Sequence, residues 1–125
     1  MASNSNRPTS PHLQIYKLPL TGIISISHRI TGVMLSAGLL LIVYILSAVS
    51  GGIDNYDEMQ AVMNNWLITP MYWGFIFALF FHLCHGVRHL IWDAGETFAK
   101  ETLDYYAKIE LGAAFVLTLI ALIFI

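Results

Sequence analysis

Residues Phe81 to Asp93 hold His82, His85, His89, Arg88 and Asp93 at the end of a run otherwise suited to lipid. Ionisable groups at membrane depth are costly, so they are rare unless they do something. Imidazoles there can bind a metal or haem iron, relay protons, or hydrogen-bond between helices. With His82 at zero and about 100° per residue, Gly86 falls near +40°, His89 near −20° and Asp93 near +20°. His85 sits slightly off this stripe and Arg88 flanks it. A histidine stripe with a glycine gap leaves room for a flat, metal-bearing ligand. A second group is Ser25-Ile26-Ser27-His28-Arg29 with Gly32 and Ser36. On a helix, Ser25, Arg29, Gly32 and Ser36 share a face within about 60°.

The elements that carry these groups are membrane helices. The chain has 125 residues, 57% hydrophobic and 11% charged. That charge content is roughly half the soluble-domain average. Mean hydropathy is +0.67. Charge-free runs cover Ile30 to Ile53 and Gln60 to Val87, and a third apolar run covers Ile109 to Ile125. The first two exceed the 20 or so residues a span needs, and the third only just spans. The expected architecture is all-α: an inner-side polar arm over 1–22, then transmembrane helices over about 23–50, 66–92 and 108–125. So small a bundle has little core of its own, which implies partner subunits.

Arg7, Lys17, Arg29, Arg88, Lys100 and Lys108 all fall on one side of this topology. The loop from Ser50 to Asn65 is acidic, with Asp54, Asp57 and Glu58. The positive-inside rule then puts the N-terminus and the Asp93 to Ala107 loop inside and the C-terminus outside. The N-terminal segment has no apolar h-region and contains Pro8, Pro11 and Pro19, so it is no signal peptide. The lack of a presequence favours a bacterial inner membrane, or a mitochondrial inner membrane if the chain is organelle-encoded. The net charge of −2 offers no basic patch for nucleic acid. The single cysteine, Cys84, excludes an internal disulfide and reads as a small buried hydrophobe.

Depth sorts the histidines. His28 and His89 are expected near the inner interface, with His82 about 10 Å deeper. A haem standing edge-on fits: iron at His82, and anionic propionates at His28, Arg29, Arg88 and His89. No other histidine is expected at the depth of His82, so a six-coordinate haem would take its second ligand from another polypeptide. Interhelical hydrogen bonding remains open for His85 and His89. Ser25 and Arg29 could hydrogen-bond a quinone carbonyl and stabilise negative charge on it. Equally, Arg29 could anchor topology and Ser25 could start a helix. A different class, a small transporter or channel subunit with a histidine proton relay, is the alternative. It is disfavoured by the apolar stretches Leu39 to Leu46 and Phe75 to Phe81. A purely structural anchor with a vestigial haem pocket is a third reading.

Whole-chain motifs then carry a resemblance. They are Arg7-Pro8, Ser10-Pro11-His12-Leu13, Ile15-Tyr16-Lys17-Leu18-Pro19, SxxHRxTG over Ser25 to Gly32, and HxxxGxRHLxxD over His82 to Asp93. In these the chain resembles the cytochrome b556 subunits of succinate dehydrogenase, respiratory complex II. The resemblance implies half of a haem-binding helical bundle, completed by a second anchor subunit that supplies the other haem ligand. It puts the axial ligand of haem b on His82, the quinone-site pair on Ser25 and Arg29, and His28 near both pockets. His89 and Asp93 match recurrent motif positions; His85 receives no role. It also implies an iron–sulfur subunit, a flavoprotein that oxidises succinate, and ubiquinone as the electron acceptor. The chain itself would not bind succinate.

Overall fold

The structure is a computed structural model that describes residues 17–96 and 99–125. Among these residues the chain forms α1 (Leu20–Ser50), α2 (Ile53–Met63), α3 (Ile68–Asp93) and α4 (Lys100–Phe124). Helices α1, α3 and α4 are long and apolar enough to cross a membrane. α3 packs between α1 and α4. The polar arm, with His12, lies outside the described residues up to position 16; Leu20 to Gly22 belong to α1.

Pro19 sets the start of α1. Its fixed φ and extended ψ (−66°, 157°) stop helix propagation, while its carbonyl accepts from the Gly22 and Ile23 amides at 2.9 and 3.1 Å. α1 ends at Gly51, and Gly52 turns the chain at φ +95°. A side chain there would be strained, so glycine is what permits the abrupt entry into α2. α3 ends in a Schellman motif: the Gly95 amide donates to Trp92 O at 2.8 Å and the Glu96 amide to Ile91 O at 3.3 Å. Gly95, at φ +85°, supplies the left-handed residue this motif needs.

Two elements differ from the sequence expectation. The acidic loop contains a helix, α2, whose Ile53, Tyr56, Met59 and Met63 recur at helical spacing; Met59 is buried. The last helix begins at Lys100, not near 108, which shortens the preceding loop. Its polar first turns are held by tertiary contacts: Ala107 is fully buried, and the Leu103 carbonyl accepts from Arg88. The apolar window of α4 therefore lies in a helical segment of 24 residues, about 36 Å long.

The core is thin. Ile24, Phe81, Ala107 and Ala114 form it, with Leu20, Phe80, Cys84 and Leu111 packed alongside. α1 and α3 approach closely at Gly38, where the Phe75 ring lies against the glycine; a Cβ there would fall 1.7 Å from Phe75 Cζ. Large apolar side chains such as Val33, Leu40 and Ile123 are more than two-thirds exposed. Such a surface suits lipid or other transmembrane helices, not water.

Candidate functional site

Four imidazoles from two helices line the α1–α3 seam. His28 of α1 stacks on His82 of α3, with ring centroids 3.8 Å apart and planes 13° off parallel. His28 also lies 4.7 Å from His85 and 6.0 Å from His89. His85 and His89 meet edge to face at 5.2 Å, and Trp92 follows 5.2 Å from His89.

This arrangement corrects the depth expectation. His28 does not stop at the level of His89; its ring reaches His82. The cause is the early start of α1. Leu20 opens the helix, so His28 lies about 12 Å along it. His82 and His85 lie about 16 and 12 Å from the end of α3 at Asp93. In an antiparallel pair those positions are level. The stacked pair could not hold one metal ion between them: the lone pairs lie in the ring planes, and rings lying face to face do not aim nitrogens at one point. Among the described residues, no three His, Cys, Asp or Glu side chains converge on a point that could hold an ion.

His82 is tightly held. Its Nδ1 lies 3.2 Å from the His28 carbonyl oxygen and 3.1 Å from Thr31 Oγ1. Thr31 Oγ1 itself donates to the same carbonyl at 2.9 Å. With Nδ1–H donating to the carbonyl, the free lone pair is on Nε2, the nitrogen a metal could use. Two glycines lie against the ring pair. A Cβ on Gly86 would meet nothing nearer than His28 Cε1 at 4.0 Å. A Cβ on Gly32 would press His82 Cε1 at 3.2 Å.

The other side of α3 carries a buried ionic cluster that sequence reasoning missed. Glu110 of α4 meets His85 Nδ1 at 3.1 Å and Arg88 Nη1 at 3.3 Å. Arg88 Nη2 donates to the Leu103 carbonyl, and its guanidinium lies 4.6 Å from the Trp92 ring centre. His85 is 0% exposed, Arg88 5% and Glu110 6%. Arg88 thus faces α4, not the His28–His82 pair. A carboxylate one residue inside the third apolar run was the available signal. Glu110 stands there in the sequence, and its partners are more than 20 residues away on another helix.

The structure leaves Ser25 half-buried and Arg29 exposed, one helical turn apart on α1. Ser36 is spent on its own helix, donating to the Gly32 carbonyl at 2.9 Å. His89 and Asp93 are exposed at the end of α3.

Comparison with known proteins adds an independent line. The chain matches the succinate dehydrogenase/fumarate reductase transmembrane subunit family over residues 3–121. It is 40% identical over 127 residues to the succinate dehydrogenase cytochrome b560 subunit of Reclinomonas americana, covering 94% of this chain and 85% of that one. It is 38% identical over 121 residues to the cytochrome b556 subunit of Paracoccus denitrificans, with 97% and 93% covered. The mitochondrial b560 subunit of Sus scrofa is 39% identical over 94 residues, 74% of this chain and 56% of its own length. A match over almost the full length has one consequence: this chain belongs to the succinate dehydrogenase/fumarate reductase transmembrane subunit family.

Proposed function

We propose that this chain is the haem b-binding membrane anchor of a succinate:ubiquinone oxidoreductase, with His82 as the axial ligand it contributes. One observation carries the ligand assignment: His82 Nδ1 is engaged by the His28 carbonyl and Thr31, which leaves Nε2 for iron. A backbone carbonyl on the second ring nitrogen is the usual way a protein orients a metal-bound imidazole. Gly86, one turn from His82, adds no side chain beside it; a Cβ there would meet His28 Cε1 at 4.0 Å. When bound, haem b supplies a one-electron redox centre.

The chain's own residues orient and neutralise. Among the candidate propionate contacts, Arg29 and His89 are exposed and available, and His28 is half-buried beside the ligand. Arg88 is the candidate whose charge is already balanced, by Glu110. Ser25 and Arg29 form the proposed quinone pair: the hydroxyl donates to a carbonyl oxygen, and the guanidinium stabilises the negative charge that reduction puts on it. A companion anchor subunit would supply the other histidine that holds the haem, and an iron–sulfur subunit fed by a flavoprotein would be the electron source. The basic end of the bundle faces the cytoplasm or matrix, in a bacterial or mitochondrial inner membrane.

The test is a reduced-minus-oxidised spectrum of the purified complex. His82→Ala should lose the b-type α-band while the chain stays inserted; full haem occupancy in that variant refutes the ligand role. Ser25→Ala and Arg29→Ala should depress quinone reduction but spare succinate oxidation by a soluble artificial acceptor. Equal loss of both activities would point to failed assembly instead.

A further inference from the structure

Glu110 and Arg88 close an ion pair between α4 and α3, and that pair balances its own charge. His85 is not needed for it. Yet His85 is wholly buried and directs Nδ1 to Glu110 Oε1 at 3.1 Å. Burying ionisable groups is seldom a route to stability, since well-packed apolar side chains of similar volume often do as well. The neighbours of His85 suggest what it does instead. Its ring lies 4.7 Å from His28, which stacks at 3.8 Å on His82. Phe81 lies nearly parallel to it, and His89 and Trp92 meet it edge-on. The ring is enclosed, and its one specific polar tie is to α4.

We propose that the Glu110–His85 hydrogen bond is a positioning device for the axial ligand. Glu110 fixes the plane of His85. His85 forms the wall against which the His28 ring rests. His28 is joined to His82 twice, by the ring stack and by its carbonyl on Nδ1. The chain of contact runs from α4 through α3 to α1 and back to α3. A helix that carries neither the ligand nor the quinone pair thereby sets the imidazole plane. This inference rests on His82 being the haem ligand. Groups that hold a ligand's imidazole in place tune a metal centre by fixing the ligand's orientation.

The experiment uses the intact purified complex. His85→Phe keeps a ring of similar size but has no N–H for Glu110. Glu110→Gln keeps an oxygen that can accept from Nδ1–H while removing the charge. Three quantities are read: haem per complex, the g-values of the low-spin ferric haem, and its midpoint potential. His85→Phe should retain haem but shift the g-values and change the oxidised-to-reduced ratio at fixed potential by about threefold, roughly 28 mV on the 59 mV-per-decade slope of a one-electron couple. Glu110→Gln should keep the parent g-values. If His85→Phe does not assemble, His85→Leu takes its place with the same expected shift. Parent g-values and potential in the His85 variant overturn the proposal. So does a g-shift in Glu110→Gln as large as in His85→Phe, since charge and not orientation would then be acting. His82→Ala separates the two ideas. Haem retained there sinks the ligand assignment itself; haem lost there, with parent spectra in the His85 variant, sinks only the positioning role.

Discussion

A single methyl on Gly32 should loosen the haem. The Cβ of Gly32→Ala would sit 3.2 Å from His82 Cε1 and 3.8 Å from Nδ1. Carbon atoms prefer separations of about 3.5–4.0 Å, so the ring must retreat by roughly 0.3 Å or more. It has little freedom to do so. Its face is stacked on His28 at 3.8 Å and its Nδ1 is tied to the His28 carbonyl. Overpacking of this size costs about 1–3 kcal/mol. Replacing glycine in a helix returns about 0.5–1 kcal/mol, but that gain is the same with or without haem. It therefore does not offset the loss at the ligand. If about 1–2 kcal/mol is felt at His82, haem retention falls roughly 5- to 30-fold. The assay is transfer of haem from the purified complex to excess apomyoglobin. Gly74→Ala is the matched control: it lies on α3, and a Cβ there meets nothing within 4 Å. Equal haem loss from the two variants would refute the argument, because helix propensity is all they share.

Three further outcomes are expected. Gly38→Ala would place its Cβ 1.7 Å from Phe75 Cζ, so α1 and α3 must separate or the ring must swing out. Thermal stability of the complex should fall by about 3 kcal/mol, and Phe75→Leu in the same chain should restore most of it. Glu110→Leu leaves Arg88 buried and unpaired, at a cost of about 3–5 kcal/mol. The double variant Arg88→Leu with Glu110→Leu should recover most of that in a denaturation cycle; additive losses would refute the pairing. Thr31→Val deletes a hydroxyl that donates to the His28 carbonyl at 2.9 Å. Haem should stay bound, with a destabilisation of about 1 kcal/mol seen as a lower melting temperature of the haem band.

What the sequence made legible was whatever lies on one helix. Gly86, His89 and Asp93 fall within half a turn of His82 because that spacing is fixed by helix geometry alone. The absence of charge from Ile30 to Ile53 likewise marks α1 as a span without any tertiary information. What depends on which helix lies beside which was not legible. The angular reading put His85 off the stripe and Arg88 beyond it, yet could not say that α4 would stand on that side. Glu110 was hidden for the same reason: one carboxylate inside an apolar run means nothing until its partners are known. The start of α1 at Leu20 was set by Pro19 and by packing, and an error of a few residues there displaced His28 by a full turn in depth. α2 was readable in principle, since Ile53, Tyr56, Met59 and Met63 keep helical spacing. Its acidic residues, Asp54, Asp57 and Glu58, interrupt that pattern with charge.

His28 and His82 touch, yet their stacking keeps the two rings from meeting on one metal ion. Parallel planes 3.8 Å apart present their faces to each other, and the lone pairs lie in those planes, aimed sideways. One His82 nitrogen is held by protein, through the His28 carbonyl and Thr31. Val33 of α1 and Leu83 of α3 are exposed, and so are many large apolar side chains of the bundle. A flat ligand seated on His82 would keep an open face unless another membrane helix covered it. On the proposed function, a companion anchor packed against this apolar surface would cover it and bring the other histidine.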